Sequence, residues 1–196
     1  MEIFKSLSRY DVERSLTPDQ IRITQVILLA LFGGTVLFLV PILVINSTKA
    51  YPVVTPGISD FVQLYMYFVF VFAAAAYTFI YLFPALFLTI PAITKRLQAS
   101  GSQKDKRQAA IHLINMDRQF RIIQNAVLEG VSLFAIVGIF LELTQSEYQI
   151  SGDIWLLTIP IVIHALILFS NFPTKENILN RIDKEILEKI NPHSAY

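Results

Sequence analysis

Long apolar blocks alternate with short polar stretches along this chain, and their lengths predict the main elements. The first block runs from Ile21 to Ile45, with Arg22 as the only charge near its start. A second block carries no charge between Asp60 and Lys95, a third runs from about Ile122 to Leu143, and a fourth from about Ile154 to Phe172. An α-helix rises about 1.5 Å per residue, so about 20 apolar residues cross the hydrocarbon of a bilayer. Each block is long enough to do so. The pattern therefore predicts an all-α integral membrane four-helix bundle, built as two tandem helical hairpins with amphipathic cytoplasmic helices.

Local signals mark the ends. Thr17-Pro18-Asp19-Gln20 places a cap, a proline at the first helical position and a glutamine at the third. Pro41 is expected to kink the far end of the first helix. Pro84 and Pro91 are expected to bend or end the second, with the remainder along the membrane surface. Ala73 to Ala76 offer a small-residue stretch for close packing. Between the second and third blocks a helical stretch with apolar Ile111, Ile114 and Phe120 is expected to run into the third crossing. After Pro173, Thr174 can cap a last helix whose Ile178, Ile182, Ile186 and Ile190 form an amphipathic stripe. The resulting division is 1–20 cytoplasmic, 21–94 first membrane hairpin, 95–121 basic cytoplasmic segment, 122–172 second membrane hairpin and 173–196 cytoplasmic amphipathic helix.

Composition and charge sharpen this picture. Hydrophobic residues make up 54% of the chain and charged ones 16%, against roughly 25% charged in soluble domains. Of the 16 lysines and arginines, all but Lys49 fall in the N-terminal, middle and C-terminal polar segments. Positive residues stay cytoplasmic, so both chain ends are expected there. The start of the chain reads as an uncleaved anchor rather than a secretion signal. Net charge of +1 gives no signal for nucleic acid. With no cysteine, thiolate metal sites and iron–sulfur clusters are excluded. No P-loop, Rossmann, HExxH or GxSxG pattern is present. The chain is read as not an enzyme, with no cofactor and no metal.

Glu129 is the charge deepest in an apolar run, and His164 lies near the middle of the next block. A carboxylate in lipid costs several kcal/mol, so it faces a bundle interior, a cavity or a partner. Both fall at similar depth on adjacent antiparallel helices, and a Glu129–His164 hydrogen bond is expected. The pair is either a structural latch fixing helix register or a proton-binding pair. Gly33, Gly34 and Gly130 read as sites of close helix approach. Tyr65 and Tyr67 suit an interfacial aromatic belt. Tyr77 and Tyr81, deeper and four apart, each need a hydroxyl partner, either inside the bundle or from a lipid or quinone. The basic middle segment reads as a topology signal, or as a surface for anionic lipid or an acidic partner.

The stretch Ala30 to Phe38 lines up with Ala126 to Phe134, and Arg22 then falls on Arg118. This suggests an internal duplication, with the two hairpins as parallel repeats. Ala126-Val127-Leu128-Glu129-Gly130-Val131-Ser132-Leu133-Phe134, with Phe172-Pro173-Thr174-Lys175-Glu176, resembles a loosely defined group of small bacterial four-helix inner-membrane proteins. The resemblance covers mainly residues 118–188 and implies a bacterial membrane protein without a catalytic role. The Glu129 helix is also similar to the carboxylate helix of rotary ATPase proteolipid subunits, but the second and fourth blocks lack the glycines of those partner helices. The leading expectation is a non-catalytic subunit of a larger membrane complex, its amphipathic terminal segments serving as docking surfaces. Its partners would be membrane lipids and other membrane subunits or further copies of itself. The alternative is a small proton or cation transporter centred on Glu129 and His164; a lipid- or quinone-binding protein is a third reading.

Overall fold

The computed structural model describes residues 6–50, 59–87, 89–99, 105–146, 149–150 and 152–188. Seven α-helices run through them. They are α1 (Arg9–Ser15), α2 (Pro18–Thr48), α3 (Asp60–Phe87), α4 (Ile90–Ala99), α5 (Lys106–Gln145), α6 (Ile159–Ser170) and α7 (Lys175–Ile182). A 3-10 segment, Gly152–Thr158, leads into α6, and a π-helical turn, Asp183–Leu187, follows α7. Four stretches are long and apolar enough to cross a membrane: Pro18–Thr48, Asp60–Pro84, Lys106–Gln145 and Gly152–Ser170.

The cap signals act as the sequence predicts. Thr17 and Gln20 exchange side-chain and backbone bonds of 3.0 and 3.4 Å at the start of α2. Thr174 caps α7 through the Asn177 N–H. Pro41 lies inside α2, which continues to Thr48. Pro84 lies inside α3, and Pro91 falls in the first turn of a separate helix, α4, where a missing N–H costs nothing. The fourth apolar stretch is part 3-10: seven residues at about 2.0 Å and twelve at about 1.5 Å give about 32 Å, enough for a core of about 30 Å.

Contacts divide the chain into two compact units: 1–27, 79–123 and 171–196 form one, 28–78 and 124–170 the other. In the first, the stripe Ile178, Ile182 and Ile186 is buried with Val12, Ile93 and Leu113; Ile190 lies outside the described residues. Among the described residues the apolar stripes of α1 and of the C-terminal segment are thus packed within this unit. Surface ion pairs strap α1 to the C-terminal segment: Arg9 to Glu176 at 3.0 Å and Lys175 to Glu13 at 2.7 Å. Ser8 and Asp11 form a capping box, and the Ser8 N–H holds the Asp11 carboxyl below its ordinary range.

Arg121 is not a solvated topology charge. It is 3% exposed, and its Nε donates to Asp117, itself 5% exposed, at 2.7 Å. Its Nη atoms donate to the carbonyls of Asn171 and Asn177. Arg181 reaches the other Asp117 oxygen at 3.5 Å and stacks over Phe120 at 4.0 Å. Burial lowers the Arg181 pKa to about 10, which leaves it charged at neutral pH.

In the second unit α5 presents a buried stripe of Leu128, Val131, Ala135, Ile139 and Leu143, spaced three or four apart. Ala73 and Ala76 of α3 pack on Val131, as the small-residue stretch predicts. Lys49 donates to the Leu143 and Ser146 carbonyls and so completes the C-terminus of α5. Outward-facing side chains stay apolar; Leu37 is 74% exposed and Val71 70%.

Because Asp117 serves two guanidinium groups, Asp117→Asn should cost about 3 kcal/mol in unfolding free energy. Arg9→Gln, at a solvent-exposed pair, should cost less than about 1 kcal/mol. Chemical unfolding in detergent micelles checks both.

Candidate functional site

Three of the sequence-predicted residues, Gly34, Glu129 and His164, lie in or against one turn of α2. That turn carries Phe32, Gly34 and Thr35; α5 brings Glu129 and Ser132, and α6 brings His164. A Cβ on Gly34 would lie 2.9 Å from Glu129 Oε1, so the carboxyl group rests against α2 at this glycine and would swing aside for a larger residue. Phe32 meets the His164 ring edge-on at 5.2 Å. His164, Ser132 and Thr35 are fully buried.

His164 is held by Ser132, with Nδ1 3.2 Å from Oγ. The Ser132 hydroxyl donates its one proton to the Leu128 carbonyl at 2.9 Å. A hydroxyl has one donor and two acceptor positions, so Nδ1 is assigned as the donor and Ser132 as the acceptor. In the neutral ring that leaves Nε2 as an acceptor. Among the described residues Nε2 has no hydrogen-bond partner, and neither does the Thr35 hydroxyl. Such orphans are uncommon in buried positions.

The expected Glu129–His164 bond is therefore not formed. Glu129 and Ser132 are three positions apart on α5, which turns them about 60° from each other around the helix. His164 lies on the Ser132 flank, and the Glu129 carboxyl goes to α2 instead. Of the predicted close-approach glycines, Gly34 alone is tight; Cβ atoms on Gly33 and Gly130 would meet nothing within 4 Å. The aligned stretches of α2 and α5 thus have different surroundings.

The tyrosines separate as well. The Tyr77 hydroxyl is buried without a partner among Ala73, Ala76, Val127 and Val131, while Tyr81 is 82% exposed. They do not share a site. Tyr67 is exposed, as a belt residue would be. Tyr65 instead donates to the Phe134 carbonyl at 3.0 Å, its ring lying against Gly138. A Cβ on Gly138 would come within 2.7 Å of Leu157 Cδ1 and 2.9 Å of Tyr65 Cε1. Gly138 is the tightest helix approach in this unit among the described glycines, and a lone glycine in an apolar helix was its only sequence signal. Ser132 was visible as a serine three residues after Glu129; Thr35 had no such marker. Glu142, one oxygen of which is buried without a partner, is a further carboxyl in α5.

Chemically, the arrangement can fix the register of α2, α5 and α6. It also offers an acceptor nitrogen, a hydroxyl and a carboxyl to a mobile proton. Among the described residues no three His, Cys, Asp or Glu side chains gather to hold a metal ion.

Ser132→Ala and His164→Leu should couple in a double-mutant cycle, by about 0.6 kcal/mol as for other bonds between membrane helices. Glu129→Gln and His164→Leu should be additive in the same unfolding assay. Comparison with family models, curated proteins and solved structures gives no match to this chain, so its function must be argued from its own residues.

Proposed function

We propose that this chain is a four-pass integral membrane protein of two tandem hairpins, a non-catalytic subunit that packs in or stabilises a larger membrane complex. Both chain ends lie in the cytoplasm of a bacterial cell, and the spans cross its inner membrane. The basic residues support the orientation, since four crossings put all but Lys49 on one side. The bacterial assignment rests on the resemblance of the Glu129 helix and the Pro173 exit to small inner-membrane proteins.

One observation carries the subunit reading. Half of the most apolar stretch of Lys106–Gln145 is buried by the chain itself, but only 17% of that of Pro18–Thr48 and 22% of that of Asp60–Pro84. The first two spans keep long aromatic and aliphatic faces for neighbours. Along α3 that face includes a hollow of about 520 Å³ walled by Phe61, Leu64, Tyr65, Tyr67, Phe68 and Val71. Lipid tails and the helices of partner subunits both fit such a surface.

A second reading, a small proton or cation transporter, is favoured by the His164 Nε2 and the Thr35 hydroxyl, buried without partners among the described residues, and by the Glu129 carboxyl against α2. Intramembrane polar groups of this kind mark ion pathways in many membrane proteins.

Purification from native membranes in mild detergent should recover the chain with partner proteins in fixed ratio. A stable partner-free monomer would contradict the subunit reading. Proton flux into vesicles reconstituted with the chain alone should match empty vesicles; flux above that level, abolished by Glu129→Gln, would establish the transporter instead.

A further inference from the structure

A cleft separate from the Glu129 site opens in the second unit, between α3 and the 3-10 segment. Its volume is about 400 Å³, and Gln63, Met66, Tyr67, Phe70, Asp153 and Leu156 line it. The four α3 residues recur at helical spacing and make one face. Asp153 and Leu156, three apart, lie on one edge of the 3-10 segment, where such residues eclipse. The lining is divided: Met66, Phe70 and Leu156 form an apolar wall, and Gln63, the Tyr67 hydroxyl and Asp153 supply polar groups.

The polar groups ask for a cation with N–H donors. Asp153 forms no ion pair among the described residues, and Lys49, the basic residue in this part of the sequence, is spent on the Leu143 and Ser146 carbonyls. Gln63 donates its amide to the Tyr67 oxygen at 3.5 Å, which leaves the Gln63 carbonyl as an acceptor and the Tyr67 proton as a donor. Tyr67 and Phe70 add ring faces, which attract cations.

The cleft also adjoins the apolar hollow along α3, and the two share Tyr67. A polar-mouthed site beside an apolar trough matches an amphiphile rather than a free polar solute. We propose that this pair of hollows binds a phospholipid with a primary-ammonium headgroup. The ammonium sits against Asp153 and the Gln63 carbonyl, Tyr67 donates to the phosphodiester, and an acyl chain lies along Phe61, Leu64, Phe68 and Val71. A choline head has no N–H to donate, and a glycerol head leaves Asp153 without a counter-charge. Gln63 and Asp153 each lie within a few residues of the start of their apolar stretch, the level of a headgroup in the four-pass reading on which this inference rests.

The test is native mass spectrometry of the delipidated protein in mild detergent. It is given equal amounts of dioleoyl phosphatidylethanolamine, phosphatidylcholine and phosphatidylglycerol. The ethanolamine lipid should be retained in preference to both others, and Asp153→Asn should reduce its retention about fivefold, near the upper range for an exposed ion pair. Leu64→Ser with Val71→Ser should weaken retention of all three lipids. Unchanged thermal unfolding of Asp153→Asn shows that the variant folds. Equal retention of the three lipids, unchanged selectivity in Asp153→Asn, or displacement by an equal amount of free ethanolamine would overturn the proposal. Any of these would leave the four-pass subunit reading standing, whereas misplaced span ends would remove both.

Discussion

Every one of the four long apolar stretches turns leucine, valine or phenylalanine side chains outward, and water cannot surround those side chains without cost. At about 25 cal/mol for each Å² of apolar surface, moving one such leucine from water into lipid is worth about 2 kcal/mol, and the four stretches expose many of them. The proposed bilayer removes that cost and imposes another. No backbone group may be left without a partner where water is absent. Helices satisfy this internally, and the 3-10 start of the fourth stretch gains length while keeping its bonds. Pro41 and Pro84 sit inside long helices without ending them, as spanning helices allow.

The two compact units follow different rules. In the unit formed by 1–27, 79–123 and 171–196, α1, α4, the start of α5 and α7 share a buried apolar core, and charged groups pair at the surface. A costly feature there is the buried Asp117 with Arg121 and Arg181. Arg121 joins α5 to the carbonyl of Asn171 before α7 and to that of Asn177 in its first turn, so it fixes where the C-terminal segment returns. In the other unit polarity is scarce, and several polar groups have a place: Lys49 at a helix end, Tyr65 on a helix carbonyl, Ser132 on His164. The remaining orphans, on Thr35, Tyr77, Glu142 and His164, set this unit apart from a merely greasy bundle.

Local interactions were legible in the sequence. The Thr17–Gln20 cap, the Thr174 cap and the burial of Ala73 and Ala76 depend on residues three or four apart or on one helix face. The partner of His164 was not legible, because it depends on how α5 and α6 are rotated about their own axes. One residue along a helix turns a side chain by about 100°. Depth alone put Glu129 beside His164, while rotation gave the place to Ser132. Arg121 was misread for a related reason: charge counts register a basic residue near a membrane without telling a solvated one from a buried one. The i, i+4 spacing of Asp117 and Arg121 was the available clue. The cleft at Asp153 joins segments more than eighty residues apart and left no pattern to find.

Because the chain has no cysteine, single cysteines report position without background. Replacing Asp60, Asp153, Lys106 or Glu188 and labelling intact cells, then opened cells, with a membrane-impermeant maleimide tests the central claim most directly. The account predicts that cysteines at 60 and 153 react from outside the intact inner membrane, and those at 106 and 188 only after it is opened. Labelling of 60 or 153 from the cytosolic side alone, or recovery of the chain in the soluble fraction without detergent, would contradict it.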